Sequence, residues 1–185
     1  TEVCPQNAKS VHTERAEVEA LLKKGKVIAS VAPSFVSSFN LQEFSVMKLA
    51  LKKLGFFDAE ETSVGAREVT YQYKKLLEGG KFKTSCCPSV NSMIELYYPE
   101  ALCYLAPVDS PMVAHAKMLK KRFPDADIVF IGPCIAKKKE AKHSGVVDGV
   151  LTFEDLNAMF ETADVDLATL ARLPEFCGGG ANRAK

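Results

Sequence analysis

The chain has 185 residues, 47% of them hydrophobic and 25% charged, with a formal net charge of +1. That length can bury one sizeable core or two small lobes, and the near-neutral charge offers no nucleic-acid or membrane surface. No apolar run is long enough to span a bilayer and no secretory signal is visible, so no membrane insertion is expected.

Residues 13–24 read as a helix, with Thr13 as N-cap and Gly25 as its stop. Residues 26–32 read as a buried strand ending at Pro33. Within 41–54, Phe44, Met47, Leu51 and Leu54 recur on one helical stripe, closed by Gly55. Residues 66–78 form a further predicted helix, stopped by Gly79 and Gly80. A short strand over 81–85 then meets two adjacent cysteines. Pro88 suits the first position of the helix that follows, whose apolar face is Val90, Met93, Ile94 and Tyr97. Ser110 and Pro111 open a helix that runs to Arg122. Residues 127–131 are a strand that runs into Gly132-Pro133-Cys134, and a helix continues from there through Lys142. Residues 145–151 read as a strand, and Thr152 to Asp155 resembles a capping box. The tail, 173–185, has no clear periodicity.

Strands alternating with helices predict an α/β fold, a mostly parallel sheet flanked by helices. Ligands of such sheets gather beyond the carboxyl ends of the strands. Three predicted strands end in proline-marked turns, at Ala32-Pro33, Cys87-Pro88 and Pro133-Cys134. If those strands are neighbours, the thiols share one edge.

The six cysteines do not form the pattern of a secreted disulfide scaffold. Cys86 and Cys87 are poor partners for each other, because successive Cα atoms lie about 3.8 Å apart and disulfides usually span about 4.4–6.8 Å. A reduced, cytoplasmic, metal-ligating use is the expectation. Both thiols sit at a predicted helix N-terminus, where the macrodipole favours thiolate, the form that iron or zinc binds. The bland alternative is a pair of small buried hydrophobes. Cys134 repeats the same strand-to-helix context, and Lys137 lies three residues on, able to share its face. Lys138 and Lys139 read as a solvated face. No Cys-x-x-Cys pair and no nearby His exist, which excludes common zinc patterns and the thioredoxin signature. Cys4-Pro5 matches the Cys-Pro end of bacterial ferredoxin motifs. Cys103 reads as core, Cys177 before three glycines as part of a flexible tail, and His12, His115 and His143 as scattered residues without a role.

These stretches resemble the large-subunit domain of iron-only ([FeFe]) hydrogenases. Thr84-Ser85-Cys86-Cys87-Pro88 is similar to that family's first signature, and Gly132-Pro133-Cys134-Ile135-Ala136-Lys137-Lys138-Lys139-Glu140 to its second. Val31-Ala32-Pro33-Ser34, Lys53-Leu54-Gly55-Phe56 and residues 147–156 also resemble it, so the likeness covers 25–160. The fold implied is the first lobe of that domain. The implied cofactor is the H-cluster, a [4Fe–4S] cubane bridged to a two-iron centre carrying CO and cyanide. By resemblance, Cys87 and Cys134 ligate the cubane, Cys86 passes protons to the two-iron centre, and Lys137 donates a hydrogen bond to a cyanide ligand. Cys4 matches the last ligand of an upstream ferredoxin-type cluster. Ferredoxin-like carriers or linked redox domains are the implied partners.

The chain departs from catalytic members at several points. Val90 stands where an aromatic residue is usual, and Gly132 where Met is common. Tyr71-Gln72-Tyr73-Lys74-Lys75 occupies the neighbourhood of the acidic proton relay. The third signature, with two more cysteine ligands, is missing, and Cys177 offers one Cys without its partner. The altered motifs look closer to sensory or regulatory members. Thr1 is not an initiator Met, and the expectation is a fragment. Residues 1–12 are read as the remnant of an upstream ferredoxin-type segment and 13–172 as the hydrogenase-like domain. Residues 173–185 are an irregular tail beyond which the domain continues. Such a fragment is expected to be inactive alone and to lack the cluster. Two rival readings stand beside it: a non-catalytic [4Fe–4S] electron-transfer or hydrogen-sensing module, and a plain α/β protein with core cysteines.

Overall fold

The computed structural model describes residues 5, 6, 8, 10–78 and 85–172. Four strands, β1 (Val27–Val31), β2 (Asp58–Glu61), β3 (Asp127–Ile131) and β4 (Gly149–Leu151), form one sheet. Its order is β2-β1-β3-β4 and every pairing is parallel. Parallel neighbours need crossover connections, which the helices supply. These are α1 (Arg15–Lys24), α2 (Phe35–Phe39), α3 (Phe44–Lys53), α4 (Ser63–Leu77), α5 (Pro88–Tyr97), α6 (Pro111–Arg122), α7 (Ala136–Ser144), α8 (Phe153–Thr162) and α9 (Leu167–Ala171), with a 3₁₀ turn at Pro99–Tyr104. The α/β class and the parallel sheet expected from the sequence are observed.

The side-chain period of two divides β1 and β3 between two cores. Val27, Ala29, Val31, Val129 and Ile131 face α1, α3 and α8, packing with Met47, Leu51, Leu156 and Met159. Ile28, Ile128 and Phe130 face the other side, against Met112, Ala116 and Leu119 of α6. A sheet covered on both faces explains why β1 and β3 read as continuous apolar runs rather than alternating ones.

Helix boundaries follow their caps. Ser110 accepts from the Val113 amide at 3.4 Å. Thr152 and Asp155 complete both halves of the capping box, at 3.1 and 3.0 Å. Gly145 ends α7 at φ +64, a conformation that costs glycine little, so β4 starts later than the sequence pattern suggests. Helix α1 begins at Arg15 with Glu14, not Thr13, as its N-cap, and the Thr13 hydroxyl accepts from the Arg15 amide at 3.2 Å just outside it. Strand β2 reads Asp-Ala-Glu-Glu and has poor intrinsic preference for a strand. Pairing with β1 makes it one. The five-residue α2 and α9 were too short to show a helical period. Residues 81–84 of the strand expected before Cys86 lie outside the described residues, and Ser85 is not in a strand. No helix among the described residues is long and apolar enough to cross a membrane.

His115, given no role by the sequence, is fully buried between α6 and the sheet. Its Nδ1 lies 2.8 Å from Ser30 Oγ, which lies 2.9 Å from Thr62 Oγ1. Its Nε2 faces Glu60 at 3.4 Å, and Glu60 also pairs with Arg122. Spatially this is a Ser-His-acid row, but Ser30 is only 1% exposed, so it works as structural glue and offers no nucleophile to a substrate. Gly65 lets α4 approach this point. A Cβ there would stand 2.4 Å from the Pro111 carbonyl oxygen and 2.6 Å from His115 Cβ.

Burial pushes the His115 imidazole below its ordinary value, against the opposing pull of Glu60. The unfolded chain therefore takes up the proton first. His115's contribution to stability is intact above the unfolded value of about 6.5 and is lost as pH falls from there toward the depressed folded value. In H115N, urea midpoints measured from pH 7.5 to 5 should lose this part of their pH slope, with lower stability throughout. In G65A, the overpacked α4–α6 contact should cost about 1–3 kcal/mol by the same measurement.

Candidate functional site

The pairing of β1 with β3 brings the Ala32-Pro33 turn and the Gly132-Pro133-Cys134 motif to one edge, and Lys137 links that edge to the Cys86-Cys87 motif. Because these strands are parallel neighbours, the chain leaves both at the same end. Ala32 donates to the Ile131 carbonyl at 2.8 Å, and Gly132 to the Leu151 carbonyl at 3.0 Å. Gly132 is confined between neighbours. A Cβ there would lie 2.9 Å from the Phe130 ring and 3.0 Å from Ala32 Cβ. Pro133 and the half-buried Cys134 follow, and the Cys134 carbonyl accepts from the Lys137 amide at 3.2 Å as α7 begins.

Cys87 is the N-cap of α5, in an extended conformation, with Pro88 at the first helical position. Its carbonyl accepts from Asn91 at 3.0 Å, and its thiol makes no capping bond. Cys87 is half-buried, whereas Cys86 is exposed. The starts of α5 and α7 lie side by side. Lys137 Nζ donates to the Cys86 carbonyl at 3.3 Å and to Glu140 Oε2 at 2.6 Å. Lys139 Nζ donates to Ser92 Oγ at 3.0 Å. Between the helices runs a groove of about 430 Å³, lined among others by Pro88, Met93, Leu96 and Ala136. Tyr73 of α4 completes the neighbourhood. Burial and then the charge of Cys86 push its phenol up.

Lys137 is a largely enclosed ammonium, its side chain 13% exposed. It sits in the first turn of α7, where the macrodipole disfavours a cation. Its bonds to Cys86 and Glu140 offset that cost. No group of three or more His, Cys, Asp or Glu side chains able to hold a metal occurs among the described residues. The thiols of this neighbourhood are Cys86 and Cys87 at the start of α5 and Cys134 before α7, with the Lys137 ammonium adjacent to Cys86. Asn91 Oδ1, one turn beyond Cys87, is buried without a hydrogen-bond partner among the described residues.

Three readings of the sequence change here. Cys103 is not core. It is exposed in the 3₁₀ turn, donating through Sγ to the Glu100 carbonyl at 3.3 Å. Its apolar neighbours Leu102 and Tyr104 are exposed too, so the turn has no core to join. Lys138 is not a solvated residue, with a side chain only 11% exposed. Lys139, although exposed, links α7 to α5. Cys4 and Cys177 lie outside the described residues. The sequence named Tyr73 only within the stretch that occupies the acidic-relay neighbourhood and did not single out Asn91 or Ser92, whose relation to the cysteines depends on helix packing and not on spacing.

Residues 25–182 match the family described as "Iron only hydrogenase large subunit, C-terminal domain". The chain is 32% identical to the periplasmic [Fe] hydrogenase large subunit of Nitratidesulfovibrio vulgaris, over 83% of this chain and 45% of that protein. It is 28% identical to iron hydrogenase 1 of Clostridium pasteurianum, over 92% of this chain and 36% of that protein. It thus spans less than half the length of these curated relatives. Among solved structures, it resembles an apo variant of [FeFe]-hydrogenase HydA1 from Chlamydomonas reinhardtii. The TM-score is 0.69 at 24% identity, covering 85% of this chain and 49% of that one, which shows a shared fold. With most of its length matched and its motifs gathered at the carboxyl edge of the sheet, the chain belongs to the iron-only hydrogenase large-subunit family.

Proposed function

We propose that this chain forms one lobe of an [FeFe]-hydrogenase domain and contributes Cys87 and Cys134 to the [4Fe–4S] cubane of an H-cluster. The observation that carries this reading is the Lys137 bridge from α7 to the Cys86 carbonyl, which ties the two cysteine motifs together. Thiolate donors suit an iron–sulfur cluster, and the adjacent ammonium suits its net negative charge. When bound, the cluster supplies the electrons and the iron site for interconverting hydrogen with protons and electrons. In the same reading, Lys137 orients a cyanide ligand as a donor, and the exposed Cys86 thiol carries a proton between solvent and the site.

Two cysteine ligands make half of a cubane's set. The family relatives are more than twice as long as the matched portion, and α5 carries exposed Met93, Leu96 and Tyr97 on a helix with no fully buried residue. Both features favour a second lobe that covers α5 and supplies the remaining ligands. By this account the 185-residue chain alone turns over no hydrogen and holds no complete H-cluster. Cys4 serves an upstream ferredoxin-type cluster, and electrons arrive from a ferredoxin-like carrier or a linked redox domain. Reduced thiols fit a cytoplasmic setting.

A specific observation favours a second reading, a non-catalytic electron-transfer or hydrogen-sensing module. Tyr73 of α4 interacts electrostatically with Cys86, and its raised phenol releases its proton reluctantly and makes a poor relay. Val90 is also exposed at a position where catalytic members carry an aromatic ring.

Anaerobic reconstitution of the protein with its complete domain separates these readings. Infrared bands from CO and cyanide together with hydrogen turnover support the enzyme, whereas a cubane signal without those bands supports the module. In that protein, C87S and C134S should each lower cubane iron to half or less. Unchanged iron in both variants would return the thiols to an ordinary core role.

A further inference from the structure

The residues entering α1 are fastened to three other elements. Lys138 of α7 donates from Nζ to the His12 carbonyl at 2.6 Å. Thr13 Oγ1 donates to Asp155 Oδ1 at the start of α8, at 2.7 Å. The Glu14 carboxylate accepts from the Val150 amide at 2.9 Å. Arg15 reaches Thr162 at the far end of α8, at 2.9 Å. Strand β4 is the outer strand on this side, so Glu14 occupies an amide on an otherwise open edge.

Lys138 and Asp155 form the clasp of this arrangement. Their charged atoms lie 3.6 Å apart, and their side chains are only 11% and 15% exposed. Burial alone pushes Asp155 up, but bonds from Thr13 and Thr152 and the Lys138 charge bring it below the usual carboxylate range. The other side of the same helical turn faces the cysteines, through Lys137 to Cys86 and Lys139 to Ser92. Three ammonium groups thus crowd the first turn of α7, where no acidic residue relieves the macrodipole. Intrinsic helix preference does not hold that turn in place. Its tertiary bonds do, and they pull toward residues 12–13 on one side and toward α5 on the other.

We propose that residues 12–15 form a strap which, through Lys138, couples the segment entering α1 to the first turn of α7 and thereby to the Cys86 side of the crevice. The strap has two discrete states, docked on Lys138 and Asp155 or released from them, as coupling between separated sites requires. Docking fixes α7 and holds Lys137 on the Cys86 carbonyl. Release frees α7 to shift and loosens the peptide that carries both vicinal thiols. This coupling does not depend on the crevice holding metal, so it is testable in the metal-free chain.

The test uses T13V, which removes a strap bond remote from the cysteines, and K138M, which removes the clasp. Hydrogen exchange at the Val150 amide reports docking, and the alkylation rate of Cys86, resolved by peptide mapping, reports the crevice. In both variants Val150 exchange should quicken at least about five-fold, the size expected for loss of a single hydrogen bond. Cys86 alkylation should rise by a similar factor. T13S, which keeps the hydroxyl, should behave as the parent. Amides of β1 and β3 should keep their rates, which separates strap release from global loosening. Faster Val150 exchange with unchanged Cys86 alkylation would overturn the coupling, as would T13V and K138M chains in which neither rate moves.

Discussion

The parallel register of β1 against β3 is the constraint on which the rest depends. Pairing Val31 with Ile131 ends both strands at one level. The turns that leave them, at Ala32-Pro33 and Gly132-Pro133, must then share an edge. The pairing survives because both strands are covered on two faces, so a slip by one residue would move every side chain into the wrong core. Ile28 and Ile128 would trade places with Val27 and Asp127, and the buried Ser30 would leave His115 and Thr62 without their partner. The position of Cys134 is thus specified by packing that involves no cysteine.

A second level of order sits on the first turn of α7. Local preference and tertiary need oppose one another there. A turn with Lys137, Lys138 and Lys139 and no acidic residue is a poor helix start by its own electrostatics. Each ammonium finds a different acceptor: the Cys86 carbonyl, the His12 carbonyl or the Ser92 hydroxyl. Departures of this kind from local consistency tend to mark functional places. The His115 row is the contrasting case. It is as polar and as connected, yet its Ser30 and His115 are sealed from solvent, and it holds α6 on the sheet.

The legible and the hidden parts of this chain differ for physical reasons. Strand β3, the α6 start at Ser110-Pro111 and the Thr152 capping box were readable because each is written within a few adjacent residues. The Cys134 motif was readable because its strand-to-helix context is local too, and Cys87 because Pro88 marks the helix it caps. Strand β2 was not, since Asp-Ala-Glu-Glu becomes a strand only beside β1. His115 was not, because its partners come from β1, β2 and α4, and no spacing rule joins them. Cys103 was misread as core because an apolar neighbourhood in sequence, Leu102 to Leu105, was taken as burial. The 3₁₀ turn instead displays it. Lys138 was misread for the opposite reason: a run of lysines looks solvated until a chain segment lies across it.

The exposed face of α5 and the incomplete sulfur set have one explanation under the proposed function. Leu96 and Tyr97 are 74% and 73% exposed, and Tyr98, Leu102 and Tyr104 continue the surface. Large apolar side chains exposed together on one element mark a place of contact more often than an idle surface. The patch begins at the helix that Cys87 caps, beside the Asn91 acceptor, which has no partner among the described residues. A body docked on α5 would bury the apolar side chains and place its own groups across the crevice from Cys87 and Cys134. The same docking would shield the half-buried thiols from water, which strengthens every charge interaction around them. Closure over the crevice and completion of the ligand set are then a single event, with the energy for the second supplied by the apolar surface removed in the first.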